Sequence, residues 1–192
     1  MEIKFVVLIG MKHCGKSTIG KALSERLELP FFDIDDRITA CSGKTPRELY
    51  DQGGPSLMQS SEAEAARQLA EELKDNPGST ISAVIAAGGG FCDNEAAITA
   101  LNNGLFVYLS APEELLMERI TASAERDGRY PAYITSQNPQ NSEEIAAIFH
   151  SYYTARTKEY ASFAEWTEQT EGKSVSEITE SLIQTLSRGE LI

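Results

Sequence analysis

The sequence predicts an α/β fold, in which a parallel sheet is flanked by helices. Two observations support this prediction. Short apolar runs alternate along the chain with segments of helical spacing, and a glycine-rich loop joins the first apolar run to the first helical segment. Because strands that alternate with helices pair in parallel through right-handed crossovers, few arrangements of such a chain are possible.

Five apolar runs predict the strands. In chain order they are Ile3–Ile9, a short strand within Leu29–Asp36 that ends in acids, Ile81–Ala87, Leu105–Leu109 and a short strand around Trp166. The first run leads into the glycine-rich loop, and the third ends in three consecutive glycines. Ligands of open α/β sheets bind at the carboxyl ends of the strands, so both features are expected at the site.

Segments of helical spacing predict the helices. The first carries Ile19, Ala22, Leu23 and Leu27, and later ones span Asp93–Leu101, Ala111–Ala122, Ser142 to about Tyr160, and Val175–Leu186. Residues 37–78 are predicted as helical pieces broken at Gly43, Pro46 and Gly53-Gly54-Pro55. A long helix then runs from about Ser61 to Lys74 and stops at Asn76-Pro77-Gly78.

Residues 123–142 form a polar stretch with little periodicity and several arginines and prolines. Such a stretch inside a compact domain is more often a functional lid than a simple connection. We therefore predict one domain over residues 1–192, with a substrate-binding segment at about 34–62 and a lid at about 123–142.

Composition narrows the classes of function. With 192 residues, 41% of them hydrophobic, and a formal net charge of −12, the chain resembles a globular protein without the positive face that nucleic acid or an anionic membrane requires. Its three cysteines, Cys14, Cys41 and Cys92, lack paired metal-ligand spacing. We expect a cytoplasmic monomer that binds neither nucleic acid nor membrane, and whose partner is a small anionic molecule.

The loop Gly10–Thr18 fits the phosphate-binding pattern G-x-x-x-x-G-K-[ST] between a strand and a helix. Backbone N–H groups and the helix N-terminus would face the phosphates of a nucleoside triphosphate. Lys16 would compensate charge at the outer phosphates, and the Ser17 hydroxyl would ligate Mg²⁺. The motif predicts a protein that binds ATP and magnesium.

Two acids, Asp33 and Asp35, follow the second strand. At a strand end, one acid can contact a metal ion and the other can contact the acceptor. Acids at this place can also simply cap the following helix. Asp36 is predicted as a solvated or capping acid. The run Gly88-Gly89-Gly90 would let a ligand approach the backbone closely.

These features in this order resemble the shikimate kinase family of small-metabolite kinases with a phosphate loop. The resemblance extends over nearly the whole chain. Besides the loop, it rests on Phe32-Asp33-Ile34-Asp35, Gly43, Leu49-Tyr50, Glu62, Gly88-Gly89-Gly90, Val107-Tyr108-Leu109, Arg119, an arginine-containing lid, and Arg156 four residues before Tyr160.

The resemblance implies a P-loop NTPase fold with strand order 2-3-1-4-5, and transfer of the ATP γ-phosphate to the 3-hydroxyl of shikimate. It implies that Asp33 and Ser17 serve the metal, and that Asp35 holds the acceptor hydroxyl and takes its proton. The nucleotide would be bound by Gly10, His13, Cys14, Gly15, Lys16, Ser17, Thr18 and, beside adenine, Arg119. The acceptor would face Gly88, Gly89 and Gly90, with its carboxylate on Arg156. A lid arginine, either Arg126 or Arg129, would reach the transferred phosphate.

The chain also departs from the family pattern. Met58-Gln59 stands where the family has a Phe-Arg pair, so Gln59 replaces an arginine that binds the acceptor carboxylate, and one charge-assisted contact is lost. His13 replaces a glycine and is expected to face solvent more readily than phosphate. The lid carries Arg129-Tyr-Pro131, and the stretch from the lid to Arg156 is longer than usual.

Two further functions stay open at this point. One is a related kinase for another hydroxy acid, such as gluconate. The other is a nucleotide-binding protein that has lost phosphotransfer. The presence of Gln59 in place of the family's arginine favours both alternatives. Lys16, Ser17, Asp33 and Asp35 favour an active enzyme.

Overall fold

The computed structural model describes residues 5–74, 81–189 and 191–192. The start of the first predicted strand, at Ile3, and the predicted helix stop Asn76-Pro77-Gly78 lie outside the described residues. Within the described part of the chain, no helix has both the length and the apolar character that a membrane crossing requires.

A five-stranded sheet lies at the centre of the molecule. Its strands are β1 (Phe5–Ile9), β2 (Phe31–Asp33), β3 (Val84–Ala86), β4 (Gly104–Ser110) and β5 (Trp166–Gln169). All neighbouring strands run parallel in the order β2-β3-β1-β4-β5. Val6 of β1 lies opposite Val84 on one side and Leu105 on the other. The predicted class and strand order are confirmed.

Helices flank the sheet. They are α1 (Lys16–Leu27), α2 (Ile34–Ser42), α3 (Pro46–Leu73), α4 (Glu95–Ala100), α5 (Glu113–Asp127), α6 (Ala132–Thr135), α7 (Ser142–Phe163) and α8 (Val175–Arg188), with one 3₁₀ turn at Phe91–Asp93. Helix α1 packs with α8, and α5 packs with α7. Strand β1 is buried along its length because neighbouring strands and the flanking helices cover it.

The predicted breaks between residues 37 and 61 have identifiable causes. Gly43 ends α2 with a φ of 69°, and Thr45 with Glu48 forms a capping box at the start of α3, next to Pro46. Inside α3, Gly53 and Gly54 leave helical geometry, and Gly54 has a φ of 66°. Because glycine tolerates positive φ, this pair kinks α3 just ahead of Gln59 and Glu62.

Several predicted boundaries differ from the structure. Strand β3 covers only the middle of Ile81–Ala87, although Val6 N still donates to Ala83 O and Ala87 N to Leu8 O, both at 3.0 Å. The helix predicted from Asp93 starts at Glu95, because Asn94 caps it. The helix predicted to end at Ala122 continues to Asp127, since Ser123 and Ala124 extend its buried stripe.

Candidate active site

The phosphate loop connects β1 to α1 through unusual backbone geometry. Gly10, His13 and Gly15 have positive φ angles of 142°, 68° and 104°. A Cβ atom at Gly10 would lie 2.6 Å from the Leu109 carbonyl oxygen of β4, so only glycine fits there. Gly15 precedes the first residue of α1, Lys16, and no side chain caps the helix. The first-turn N–H groups of α1 therefore remain available for an anion.

Lys16 lies over its own loop. Its Nζ donates hydrogen bonds to Gly10 O at 2.8 Å and Met11 O at 2.9 Å, and only 9% of the residue is exposed. Cys14 is buried beside it, with Sγ 3.9 Å from Nζ. The loop thus holds a cation at the place where the outer phosphates of a nucleotide would lie.

Asp33 joins the end of β2 to the phosphate loop. Its Oδ2 accepts a 2.6 Å hydrogen bond from Ser17 Oγ, and its Oδ1 accepts from the N–H of Asp35 at 3.0 Å, which caps α2. The helix-capping role that the sequence left open belongs to Asp33, and Asp36 lies exposed in the first turn of α2. One carboxylate therefore both caps a helix and contacts the hydroxyl predicted to ligate magnesium.

Asp35 follows in the first turn of α2, and although the residue is exposed, it lines the cleft beside the glycine run. Burial raises the pKa of Asp35, and the nearby Asp33 charge raises it further, while Lys16 and Lys12 act in the opposite direction. A carboxyl group with a raised pKa is a better proton acceptor when it is ionised. Its position and pKa fit a group that accepts a proton from a hydroxyl.

The three glycines after β3 pack against acids and the phosphate loop. A Cβ atom at Gly88 would lie 2.8 Å from Glu62 Oε1 and 3.3 Å from Asp35 Oδ1. At Gly89 it would lie 2.9 Å from the backbone nitrogen of Lys12. Only glycine allows this approach, which brings β3, α3 and the loop together.

Glu62 is a site residue to which sequence reasoning gave no role. It is only 3% exposed, and its Oε2 accepts a 2.8 Å hydrogen bond from Asn94 Nδ2. Burial raises the pKa of Glu62 to about 7, although the hydrogen bond from Asn94 lowers it and the Asp35 charge adds to the rise. An acid on the inner face of an otherwise apolar helical stripe was the signal that could have identified it.

Two cavities meet at this site. The loop-side cavity, of about 650 Å³, is lined by the phosphate loop together with Asp33, Arg119, Arg126 and Lys173. The lid-side cavity, of about 490 Å³, is lined by the glycine run, Glu62, Asp93, Arg129 and Arg156, among others. The two share the residues Lys12, His13, Asp35, Gly88 and Gly89. A group bound in one cavity would therefore face a group bound in the other across Asp35.

The predicted arginines divide between the two cavities. Arg119 donates to the His13 carbonyl at 2.8 Å, and it lines the loop-side cavity together with Arg126. Arg129 lines the lid-side cavity and pairs with Asp51 at 3.5 Å. The two lid arginines are only three residues apart in the sequence, yet they line different cavities.

Arg156 is nearly buried in the wall of the lid-side cavity. One of its terminal nitrogens donates to Gly89 O at 3.0 Å, and the other pairs with Asp93 Oδ2 at 2.5 Å. The rings of Tyr133 and Tyr152 flank the guanidinium at 5.4 and 4.9 Å. Gln59 reaches the same place and donates to the Asp93 carbonyl at 3.2 Å. The structure thus brings Gln59, the glycine run and Arg156 together.

The expectation that His13 faces solvent is wrong. The side chain is half-buried and lines both cavities, and its Nε2 finds no partner among the described residues. Burial lowers the pKa of His13 to about 4, and the charges of Lys12, Lys16 and Arg126 lower it further. The backbone at His13 has a positive φ of 68°, and its side chain lies against both cavities.

Strand order, phosphate loop and the acids at the carboxyl edge of the sheet define a protein of the P-loop kinase class. The comparisons with known proteins are more specific. The family model for shikimate kinase matches residues 12–187. The shikimate kinase of Enterococcus faecalis is 29% identical over 184 residues, which cover 94% of this chain and 97% of that protein. The Zymomonas mobilis enzyme is 33% identical, with coverage of 77% and 78%. The chain therefore belongs to the shikimate kinase family.

Other relatives match over a smaller share of their length. The matched stretch spans 22% of the bifunctional shikimate kinase/3-dehydroquinate synthase of Thermotoga maritima and 55% of the shikimate kinase of Bradyrhizobium diazoefficiens. Among solved structures, the shikimate kinase of Acinetobacter baumannii in complex with shikimate has a TM-score of 0.79 at 22% identity. The aligned residues cover 99% of this chain and 96% of that chain. That likeness shows the fold.

Proposed function

We propose that this protein transfers the γ-phosphate of ATP to the 3-hydroxyl of shikimate. The observation that carries the proposal is the meeting of the loop-side and lid-side cavities at Asp35, Gly88 and Gly89. Phosphoryl transfer requires donor and acceptor in line, with a proton acceptor at the hydroxyl and cations around the transferred group. Membership of the shikimate kinase family supports the choice of acceptor.

The loop-side cavity supplies what a nucleotide requires. The N–H groups of Gly10–Thr18 and the first turn of α1 would hold its phosphates, and Arg119 would lie beside the base. Magnesium, which neutralises phosphate charge when it is bound, would take Ser17 as a ligand with Asp33 behind it, since the two are already joined at 2.6 Å. The donor set of hydroxyl and carboxylate oxygens suits this ion.

The lid-side cavity would hold the acceptor. Asp35 would orient the hydroxyl and accept its proton as the new O–P bond forms and the bond to ADP breaks. The glycine run leaves room for the ring, and Arg156 would face the carboxylate. Arg126, on the loop side, is better placed than Arg129 for the transferred phosphate. The cytoplasmic location and monomeric state expected from the sequence remain predictions.

A coupled ADP-release assay tests the proposal. Purified protein with ATP and Mg²⁺ is assayed with shikimate, gluconate and related hydroxy acids, and Lys16→Met serves as the inactive control. Shikimate-dependent ADP release that disappears in the Lys16 variant is the expected result. ATP binding without release for any acceptor would instead favour a non-catalytic nucleotide-binding protein.

A second candidate is a kinase for another hydroxy acid, such as gluconate. Gln59 favours it, because an amide replaces the arginine that the family pattern provides for the shikimate carboxylate. In the same assay this candidate predicts release with that acid and little with shikimate. Gln59→Arg then separates the two, since it should improve the use of shikimate only if shikimate binds with its carboxylate at this place.

A further inference from the structure

The polar edge of Arg156 that faces the lid-side cavity is already occupied by the protein itself. One terminal nitrogen donates to the Gly89 carbonyl, and the other pairs with the Asp93 carboxylate at 2.5 Å. The rings of Tyr133 and Tyr152 lie beside each other, with centroids 4.6 Å apart, and both contact the guanidinium at 5.4 and 4.9 Å. The Arg156 side chain is 11% exposed, whereas that of Asp93 is 37% exposed. Arg156 Nε is buried and has no partner among the described residues, so an incoming carboxylate would compete with Asp93 for the outer terminal nitrogen of this guanidinium.

The Asp93 side chain has no evident structural duty apart from this pairing. The cap of α4 is Asn94, whose side chain accepts from Ala97 N, and the backbone of Asp93 is held by its own bonds to Gly90 O and Gln59 Nε2. Its other carboxylate contact is a weak one from Cys92 Sγ at 3.5 Å. The carboxylate is thus positioned by the backbone, and its partner is Arg156.

The charges near Arg156 do not favour a second carboxylate. Arg156 contributes one positive charge and Asp93 one negative charge, while Gln59, at the position of the family's second arginine, contributes none. Glu62 lies on the same cavity wall. A ligand carboxylate at this place would meet a guanidinium that Asp93 already neutralises, and it would lie close to Asp93 itself. The other guanidiniums that line the cavity, those of Arg47 and Arg129, both pair with Asp51.

We propose that Asp93 is a specificity-determining residue, which occupies on Arg156 the place of an acceptor carboxylate and so weakens the preference of the site for acidic acceptors over uncharged ones. The inference rests on the proposed function, because it takes shikimate as the acceptor that binds in this cavity. If Asp93 has this role, an uncharged ester of the acceptor binds nearly as well as the acid.

Calorimetric titration of the full chain, with Mg²⁺ and ADP present, tests this with two ligands, shikimate and methyl shikimate. In the wild-type protein the two Kd values should lie within about tenfold of each other. Asp93→Ser should lower the Kd for shikimate by about tenfold or more and change the Kd for the ester by less than about threefold. Only the acid gains a charge-assisted partner when Asp93 is removed. Glu95→Gln removes an exposed acid two residues away and should change neither value.

A wild-type protein that binds shikimate more than about a hundredfold tighter than the ester would overturn the inference. So would an Asp93→Ser variant that leaves the ratio unchanged. If wild type binds neither ligand, a gain of shikimate binding in Asp93→Ser supports the inference and its absence refutes it. Should Asp93→Ser not fold, Asp93→Asn keeps the shape and should shift the ratio in the same direction.

The proposed function fails by a different readout. It falls if no ADP is released with shikimate by the wild-type protein or by Asp93→Ser. The inference about Asp93 is judged by the binding ratio alone, which requires no turnover.

Discussion

Ser17 and Asp33 are joined by a 2.6 Å hydrogen bond that connects the first turn of α1 to the end of β2. The second oxygen of Asp33 accepts from the backbone of Asp35 and caps α2. A single carboxylate therefore fixes the positions of both the phosphate loop and the acid that follows β2. The two acids face different groups, since Asp33 contacts Ser17 whereas Asp35 lines both cavities, so changes at their carboxylates should have separable effects.

Asp33→Asn should raise the magnesium concentration needed for half-maximal activity by about tenfold, because an amide keeps the capping oxygen but loses the charge that supports the metal. Thermal unfolding should stay close to wild type, since Asn and Asp are equivalent N-caps. Magnesium titrations of ADP release measure the first effect. An unchanged titration would show that Asp33 acts only as a cap.

Asp35→Asn should lower kcat by about a hundredfold or more while changing the Kd for ATP by less than about threefold, because the amide cannot accept the proton of the acceptor. Nucleotide titration and steady-state kinetics together measure the split. If the Asp35 variant shifted the magnesium titration and the Asp33 variant did not, the two roles would be reversed.

Lys16→Met should reduce turnover by about a thousandfold, since charge compensation at the outer phosphates is lost. The Lys16 side chain is also buried and bonded to two loop carbonyls. We therefore also expect a stability loss of about 1–3 kcal/mol from the carbonyls left without a donor. Lys158→Met, on an exposed turn of α7, is the matched control and should change neither quantity.

The fold was largely predictable because local signals and burial agree along the chain. The alternation of apolar runs and helices, the breaks at Gly43 and Gly54, and the order of motifs all follow from backbone preferences that a sequence displays. Helix ends were predicted less well. The end of α5 was predicted too early because Ser123 and Ala124 are small residues that continue a buried stripe, which only packing reveals.

The sequence exposed several of the residues that meet at the candidate site, but it gave no role to Glu62 or Asp93 and did not predict how the residues pair. The residues Lys16, Ser17, Asp33, Asp35, Gly88 and Arg156 carry chemistry that a pattern exposes. The contact of Asp93 with Arg156 joins residues 63 positions apart, and no local signal encodes it. The positive φ at His13 is likewise a conformation that a non-glycine residue rarely adopts, and no local signal predicts it.

The buried Glu62 predicts a pH dependence of stability. Its pKa is raised from 4.5 to about 7 by burial, so the folded state holds its proton over a range in which the unfolded chain releases it. Stability from this group is therefore fully present below pH 4.5 and is lost as pH rises towards 7. The Glu62→Gln variant can still accept a hydrogen bond from Asn94 but does not titrate. As pH rises over that range, its free energy of unfolding should increase relative to that of wild type by up to about 3 kcal/mol.

Denaturant unfolding of both proteins at pH 4.5, 5.5, 6.5 and 7.5 measures this difference. Glu125→Gln, a change of the same chemistry on an exposed part of α5, should show no such trend relative to wild type. A Glu62→Gln difference that stays constant with pH would mean that Glu62 releases its proton at the ordinary pKa of a glutamate.

The two lid arginines should separate kinetically because they line different cavities. Arg126 lines the loop-side cavity, near enough to His13 to lower its pKa, whereas Arg129 lines the lid-side cavity and pairs with Asp51. Arg126→Ala should lower kcat by about a hundredfold or more with little change in the KM for the acceptor, since a cation near the transferred group acts mainly in the transition state. Arg129→Ala should raise the acceptor KM by about three- to tenfold with a smaller change in kcat, because it removes a charge from the wall of the acceptor cavity.

Steady-state kinetics with shikimate and ATP varied in turn distinguishes the effects of the two substitutions. A large loss of kcat in the Arg129 variant, with Arg126→Ala near wild type, would assign the transferred phosphate to Arg129 and would require the lid to turn that side chain across Asp35 when both substrates are bound.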